Sequence, residues 1–201
     1  MGGREGTRRP IGVFDSGLGG LTVLRALHER LPGEDIIYFG DTARVPYGTK
    51  GEKTVRAFAG QDAGLLVELG VKMVVVACNT ASAFALEHLR DTLPVPVLGV
   101  INPGVRTALA RTRGGAVGVI GTSGTIRSGR YQEGLQAGGL GDDRILVREC
   151  PLFVPLVEEG LMGHPLTEIA VAEYLTPLRE AEVDTLILGC THYPALKEDI
   201  G

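Results

Sequence analysis

Residues 73–80 of the chain have the sequence MVVVACNT, an apolar run that ends in a cysteine and two polar residues. A second stretch, residues 187–192 with the sequence ILGCTH, has the same order of an apolar run, a cysteine and polar side chains. Short runs rich in Val, Ile and Leu are typical of strands buried in a parallel sheet. Each stretch therefore predicts a buried strand with a thiol directly after its carboxyl end.

The rest of the chain extends this pattern, because short apolar runs alternate with longer segments of helical period. Strands are predicted at residues 11–14, 35–39, 73–77, 97–100, 117–120, 145–148 and 185–188. The clearest helices are predicted at residues 21–31, 53–69 and 82–92, the second with an apolar face made of Val55, Phe58, Ala59, Leu65, Leu66 and Leu69. Gly70 supplies the C-terminal stop of that helix. The sequence thus predicts an α/β protein with mostly parallel sheets.

The two halves of the chain resemble each other. Residues 11–17 resemble residues 117–123, residues 36–38 resemble 145–147, and 75–80 resemble 187–192, which places the cysteines at 78 and 190 in matching positions. Apolar strands alone would match between any two α/β halves, but the matched cysteines favour an internal duplication. We predict two pseudo-symmetric three-layer αβα lobes, residues 10–99 and 100–201, with the boundary near Gly99 to Pro103 and a cleft between the lobes.

Composition and charge narrow the class of protein. The 201 residues carry a net charge of -4 without a cluster of Lys and Arg, which argues against nucleic acid or an anionic membrane as the main partner. The longest strongly apolar run, residues 73–78, is far shorter than the ~18 to 20 residues of a membrane-spanning helix. Three cysteines and no export signal favour reduced thiols in the cytoplasm. Residues 1–9 are predicted to be a disordered lead-in, and the expected partner is a small molecule.

The thiols of Cys78 and Cys190 are the candidate reactive groups. Each is predicted to lie at the carboxyl end of a strand and before a helix, where ligands of open α/β sheets bind and where a thiol pKa can fall. Three chemistries remain open: a disulfide, a zinc site with His192, and proton transfer by two groups on opposite faces of a stereocentre. A plain structural role is the alternative for both, and Cys150, which lacks a polar tail, is predicted to be structural.

Polar residues near the predicted strand ends suit a small zwitterion. The glycines at 17, 19 and 20 do not complete a dinucleotide or Walker motif, but they leave backbone N–H groups at a helix start, where anions bind. Asp15 is predicted to bind an ammonium group, orient a thiol or cap the helix. The neutral hydrogen-bonding candidates are Ser16, Asn79, Thr80, Thr122, Thr125 and Thr191.

Several motifs resemble those of the bacterial glutamate racemase family, within the wider aspartate/glutamate racemase superfamily. They are residues 15–17 (DSG), 40–41 (GD), 46–48 (PYG), 78–81 (CNTA), 157–158 (VE) and 189–194 (GCTHYP), and the match runs from about residue 10 to the end. The resemblance implies interconversion of L- and D-glutamate without cofactor or metal, supplying D-glutamate for peptidoglycan. It is also compatible with a homodimer.

The resemblance also implies roles for individual residues. Cys78 and Cys190 match the two acid/base thiols, Asp15 and His192 match positions that assist the thiols, and Glu158 matches one that supports the histidine. The positions that match the substrate-binding set are Asp15, Ser16, Pro46, Tyr47, Gly48, Asn79, Thr80, Thr122, Thr125, Thr191 and His192. Tyr47 is expected to bring a ring and backbone N–H groups near the distal carboxylate, although a surface turn is the alternative for its loop.

Members of this family continue beyond the helix that follows the second cysteine and return to complete the first lobe. We therefore expect the first lobe here to lack its C-terminal closing elements and the end of the second lobe to lead back toward the first. Two other functions remain open: a racemase of aspartate or another acidic amino acid, and a small-anion binding protein with inert cysteines.

Overall fold

A computed structural model describes residues 9–201, and these residues divide after Val100 into two compact units. Residues 1–8, part of the predicted disordered lead-in, lie outside the described residues. Arg9, which was included in that lead-in, donates hydrogen bonds from its guanidinium to the carbonyl oxygens of Gly70 and Val71, at 2.7 and 2.9 Å. Within residues 9–201, no helix is both long and apolar enough to cross a membrane.

The first unit is a four-stranded parallel sheet with helices in its connections. Its elements are β1 (Ile11–Asp15), α1 (Leu21–Arg30), β2 (Ile36–Gly40), α2 (Glu52–Glu68), β3 (Met73–Val76), α3 (Asn79–Thr92) and β4 (Val97–Gly99), with a 3₁₀ turn at Tyr47–Thr49. The strand order is β2-β1-β3-β4. In the parallel register of β1 with its neighbours, Phe14 lies opposite Phe39 on one side and Val76 on the other.

The second unit is a three-stranded parallel sheet with the order β6-β5-β7. Its elements are α4 (Ile101–Arg111), β5 (Ala116–Gly121), α5 (Ser123–Arg127), α6 (Arg130–Ala137), β6 (Ile145–Glu149), α7 (Phe153–Glu158), α8 (Pro165–Glu180), β7 (Val183–Gly189) and α9 (Lys197–Ile200), with 3₁₀ turns at Asp142–Arg144 and Tyr193–Leu196. The order repeats that of β2-β1-β3. The predicted α/β class with parallel sheets is therefore confirmed. In the first unit, Cys78 follows β3, which pairs with β1, after one intervening residue. In the second unit, Cys190 directly follows β7, which pairs with β5.

The core of the first unit lies on both faces of its sheet. On one face, Phe14, Val74 and Val76 pack in a cluster with Val55, Leu66 and Leu89 from α2 and α3. On the other face, a smaller cluster of Ile11, Val13, Val75 and Ala77 packs against Val23 and Leu27 of α1. No residue of α1 is buried. The α2 and α3 face therefore supplies most of the buried core.

The structure changes the predicted face of α2. Leu65 and Leu69 were expected on the apolar face, but their side chains are 38% and 54% exposed, whereas Asp62 is 1% exposed. Residues Val55, Ala59, Asp62 and Leu66 follow the helical spacing of one buried stripe, and the expected set mixed this stripe with its neighbour. Gly70, with φ +81°, ends the segment in the left-handed conformation that glycine favours.

Other helices differ from the sequence-based expectation. Helix α3 begins three residues earlier than expected, because the Cys78 Sγ accepts a hydrogen bond from the Ala81 N–H and caps the helix. The segment Gly99 to Pro103, where the boundary was expected, contains the end of β4 and the first turn of α4, where Pro103 needs no N–H partner. Helix α8 lies between two predicted strands, where a helix was expected without a residue range. Pro165 begins it after His164, whose side chain accepts a hydrogen bond from the Leu166 N–H.

Candidate active site

The first half-site lies at the carboxyl ends of β1 and β3, which are neighbours in the sheet. Asp15 ends β1, and Cys78 follows β3 after one residue and caps α3. The Cys78 Sγ lies 3.6 Å from the Ser16 Oγ and 3.4 Å from the Ala81 backbone N. Asn79 and Thr80, in the first turn of α3, are also buried. The fold thus brings together five residues predicted for the site: Asp15, Ser16, Cys78, Asn79 and Thr80.

The Asp15 carboxylate is completely buried and organises the turn after β1. Its Oδ2 accepts hydrogen bonds from the backbone N–H groups of Gly17 and Gly20, at 3.0 and 3.1 Å. Tyr38, whose role the sequence did not indicate, donates from its hydroxyl to the Gly17 carbonyl at 2.6 Å. Burial, together with the nearby charges of Asp15 and Cys78, raises the pKa of Tyr38, so its hydroxyl stays protonated as a donor.

The environment of Cys78 differs from the sequence-based expectation about its pKa. A thiol at a helix N-terminus was expected to have a lowered pKa, but burial first and the Asp15 charge second raise the pKa of Cys78 to about 12. The N–H groups of Ala81 and Thr80 and the Ser16 hydroxyl oppose this shift without cancelling it. Desolvation outweighs local dipoles when the thiol is enclosed. Without a ligand, Cys78 is therefore a protonated thiol, the form that donates a proton.

The loop after β2 carries Pro46, Tyr47 and Gly48. Tyr47 is 1% exposed, and its ring packs in the same core cluster as Cys78 and Ala81. Its hydroxyl lies 2.5 Å from the Asp41 Oδ2 and 2.7 Å from the Asp62 Oδ2. The hydroxyl is therefore held by two carboxylates of the protein, and the alternative of a surface turn for this segment is wrong at Tyr47 and Gly48, which are both buried.

The second half-site lies at the carboxyl ends of β5 and β7. Thr122 caps α5, its Oγ1 lies 3.1 Å from the Thr125 Oγ1, and both threonines are buried. Cys190 follows β7, and Thr191 and His192 are buried beside it. Cys190 does not cap a regular helix as Cys78 does, because the next element is the 3₁₀ turn at Tyr193–Leu196.

A chain of three side chains extends from the second thiol. The Cys190 Sγ lies 3.8 Å from the His192 Nδ1, and the His192 Nε2 lies 3.1 Å from the Glu158 Oε1 on α7. His192 is 6% exposed, whereas the Glu158 side chain is 42% exposed. The two thiols thus have different partners within their own units, a buried carboxylate near Cys78 and an imidazole with its carboxylate beside Cys190.

Cys150, the third cysteine, has a different environment. It is fully buried, burial raises its pKa to about 12, and its carbonyl oxygen accepts a hydrogen bond from the Tyr193 hydroxyl at 2.8 Å. Its thiol lies in an apolar core cluster with Phe153 and Leu196. These contacts are those of a structural cysteine. In the part of the chain that the structure describes, no group of three His, Cys, Asp or Glu side chains is arranged to hold a metal ion.

Sequence reasoning missed three charged or polar partners of the first half-site: Tyr38, Arg44 and Asp62. Asp62 could have been found, because it is a charged residue at a buried position of the helical stripe formed by Val55, Ala59 and Leu66. Tyr38 carries no comparable signal, since its partner Gly17 is distant in sequence. Arg44 follows its partner Asp41 by only three residues, but no helix was predicted there that would bring the two side chains together.

Comparisons with known proteins agree with this architecture. The family model described as Asp/Glu/Hydantoin racemase matches residues 11–201. A glutamate racemase from Geobacter metallireducens is 56% identical over 193 residues, which are 96% of this chain and 71% of that protein. The crystal structure of glutamate racemase from Thermus thermophilus with β-chloro-D-alanine has a TM-score of 0.86 at 51% identity, covering 97% of this chain and 72% of that one. The Francisella tularensis glutamate racemase in complex with D-glutamate has a TM-score of 0.88 at 43% identity, covering 96% and 73%.

Proposed function

Since the chain belongs to the Asp/Glu/Hydantoin racemase family, we propose that it interconverts L- and D-glutamate by proton transfer between the substrate Cα and two cysteine thiols. The chain is an amino-acid racemase, an isomerase, and its relatives at 51–56% identity are glutamate racemases. The reaction needs no cofactor, and the D-glutamate it makes supplies peptidoglycan synthesis.

One observation carries the mechanism: each unit has a buried cysteine just after a strand, β3 in the first unit and β7 in the second. Each cysteine is accompanied by polar groups suited to proton transfer. Cys78 has Asp15 and Ser16 nearby, and Cys190 has His192 backed by Glu158. Inversion at a tetrahedral carbon needs a base on one face and an acid on the other. A duplicated fold that carries one thiol in each half supports this division of roles.

The partners of the two thiols support their alternation between acid and base. The His192 Nδ1 is placed to accept the Cys190 proton, and Glu158 stabilises the imidazolium that results. On the other side, the Asp15 charge and burial make the Cys78 thiolate strongly basic once formed, and the Thr80 and Ala81 N–H groups stabilise it. General acid/base catalysis of this kind contributes roughly 10²- to 10⁴-fold. Hydrogen bonds to the substrate carboxylates and exclusion of water supply the remainder.

Asp15 and a set of mostly uncharged donors and acceptors bind the substrate in this proposal. Asp15 is assigned to the ammonium group or to orientation of the thiol, and the loop of Pro46, Tyr47 and Gly48 contributes its backbone, because the Tyr47 hydroxyl is bonded to carboxylates. The remaining proposed contacts are Ser16, Asn79, Thr80, Thr122, Thr125, Thr191 and His192.

Racemisation in D₂O tests the proposal directly. L-glutamate incubated with the protein is expected to yield D-glutamate with deuterium at Cα. Polarimetry measures the change of configuration, and mass spectrometry measures the deuterium. Cys78→Ala and Cys190→Ala are each expected to abolish turnover, whereas Cys150→Ala, the matched control that removes the third buried thiol, retains it. Full turnover in either of the first two variants would contradict the two-thiol mechanism.

The same assay with L-aspartate tests the substrate. A higher kcat/KM for aspartate than for glutamate would overturn the glutamate assignment and leave the racemase class intact. Absence of exchange at Cα with any acidic amino acid, together with tight binding of glutamate in calorimetry, would instead identify an anion-binding protein.

We also propose a cytoplasmic location and a homodimer. A reducing compartment keeps the three thiols free, as the mechanism requires. The exposed apolar side chains of Leu152, Leu166 and Ile169 support a surface that a second copy covers. Sedimentation of the protein as a monomer at all concentrations would exclude the dimer.

A further inference from the structure

A buried polar cluster lies behind the loop that carries Tyr47. It consists of Asp41 after β2, Arg44 and Tyr47 in the following segment, and Asp62 on α2. The Tyr47 hydroxyl lies 2.5 Å from the Asp41 Oδ2 and 2.7 Å from the Asp62 Oδ2. The Arg44 Nε lies 2.6 Å from the Asp41 Oδ2, and its Nη2 lies 2.7 Å from the Asp62 Oδ1. Each carboxylate therefore contacts both the guanidinium and the phenol oxygen, whose single proton the two carboxylates share.

The cluster is costly to bury and is matched in charge only in part. Asp41 and Asp62 are 4% and 1% exposed, and one guanidinium faces the two carboxylates. Buried charges persist when paired and hydrogen-bonded, and removing one partner leaves the other uncompensated. The Arg44 guanidinium also stacks 4.3 Å from the centre of the Phe58 ring, which is on α2. Helix α2 therefore holds this arrangement through Asp62 and Phe58.

The cluster determines where the backbone of the loop lies. Tyr47 stands between Pro46 and Gly48, and its ring is enclosed by the core that also contains Cys78 and Ala81. On the opposite side, a Cβ added at Gly17 would lie 3.3 Å from the Val45 side chain, so the loop packs against the turn after Asp15. A side chain fixed at both ring and hydroxyl leaves its own backbone little freedom. Displacement of Tyr47 would therefore move the segment 46–48 relative to Cys78.

We propose that Asp62, acting with Arg44 through the Tyr47 hydroxyl, is a positioning residue that holds the backbone of Pro46–Gly48 in place to bind the substrate carboxylate. This inference rests on the proposed function and deepens it. Asp62 does not touch the substrate, because its carboxylate is occupied by Tyr47 and Arg44. A carboxylate that takes no part in bond breaking contributes binding equally to the ground and transition states. Loss of Asp62 therefore raises KM and leaves kcat nearly unchanged.

The rival explanation is that the cluster only stabilises the first unit. A purely structural role would lower the unfolding free energy without changing KM in the folded fraction. Isosteric variants separate the two: Asp62→Asn removes one negative charge at constant shape, and Tyr47→Phe removes the hydroxyl that both carboxylates share. Glu68→Gln, an exposed residue on the same helix, makes the same kind of chemical change away from the cluster and is the matched control.

The experiment measures KM and kcat for glutamate in both directions, with urea unfolding of each variant. Asp62→Asn and Tyr47→Phe are each expected to raise KM about tenfold, the worth of one hydrogen bond to a charged group, with kcat within about threefold of wild type. The double variant is expected to resemble either single one, because both break the same connection. Glu68→Gln should match wild type.

Each outcome of these measurements either supports or overturns the positioning role of Asp62. Unchanged KM in Asp62→Asn and Tyr47→Phe, with an active wild type and control, would overturn the positioning role and leave the proposed function standing. If both variants fail to fold while Glu68→Gln folds and turns over, the cluster is structural and the inference is wrong. If neither wild type nor Glu68→Gln racemises glutamate, the proposed function fails and the inference falls with it.

Discussion

Replacing Gly20 with alanine perturbs the turn that holds the buried carboxylate of the first half-site. Gly20 has φ -63° and ψ -10°, which any residue adopts, so backbone strain is not the issue. A Cβ there would lie 2.4 Å from the Asp15 Cβ and 2.8 Å from both the Asp15 Cγ and the Tyr38 hydroxyl. Because the Asp15 Cβ is next to the main chain, it cannot rotate away. The two groups must separate by at least about 0.6 Å to reach the 3.0 Å limit of real contacts.

The expected magnitude follows from what this separation disrupts. Asp15 would lose or lengthen its hydrogen bonds from the Gly17 and Gly20 N–H groups, now 3.0 and 3.1 Å. Overpacking of a filled site costs about 1–3 kcal/mol, so urea unfolding should show a loss in that range. A displacement approaching 1 Å at a catalytic group costs about 100-fold, so kcat/KM for glutamate should fall by about that factor.

A glycine in open space supplies the control. Nothing lies within 4 Å of a Cβ added at Gly64, in the interior of α2, and Gly64→Ala should gain about 0.5–1 kcal/mol from helix propensity with unchanged kinetics. Wild-type unfolding and wild-type kcat/KM in Gly20→Ala would refute the argument that this turn has no room for a side chain beside Asp15.

Three further predictions concern pH and buried groups. Burial, and then the Asp41 charge, raise the pKa of Asp62 from 3.8 to about 6, although the Arg44 charge lowers it. The protonated form is therefore favoured in the folded state, and its contribution to stability is fully present below about pH 4 and lost as pH rises through 6. Urea unfolding at pH 4.5 and 7.5 should show wild type losing stability relative to Asp62→Asn, and a constant difference would contradict the shift. With its pKa raised to about 12, Cys78 should react with iodoacetamide at pH 8 more than about 100-fold slower in the native protein than in urea, as followed by mass spectrometry; equal rates would show an accessible thiolate. Tyr193→Phe leaves the Cys150 carbonyl without its hydroxyl donor and should cost about 1–2 kcal/mol in urea unfolding, and a cost near zero would mean that the bond contributes nothing.

The strands and the candidate thiols were accessible from sequence because their signals are local. Short runs of Val and Ile predict buried strands whatever packs against them, and all seven strands begin and end within two residues of their predicted bounds. The position of Cys78 and Cys190 after such runs follows directly. The assisting roles of His192 and Glu158 came from a family resemblance, whereas Asp15 was also a candidate from its place before the glycine-rich turn. The structure gives the hydrogen bonds of all three side chains, and their catalytic roles stay predictions.

The face of α2 shows where such reasoning ends. Leu65 and Asp62 lie on adjacent stripes of the helix, and a helical pattern alone favours leucine for the core. The structure buries Asp62 instead, because Tyr47 and Arg44 reach it from a loop that is distant in sequence. Only packing against that loop makes a buried carboxylate stable here.

The sequence by itself determined the α/β class, the matching strand segments in the two halves and the two cysteines at strand ends, since each of these segments is defined by residues near one another along the chain. Only the tertiary structure decided that the Cys78 thiol is enclosed with a raised pKa and that Tyr47 is tied to two carboxylates. Burial and electrostatics depend on groups brought together from distant segments, and a local pattern carries no information about them.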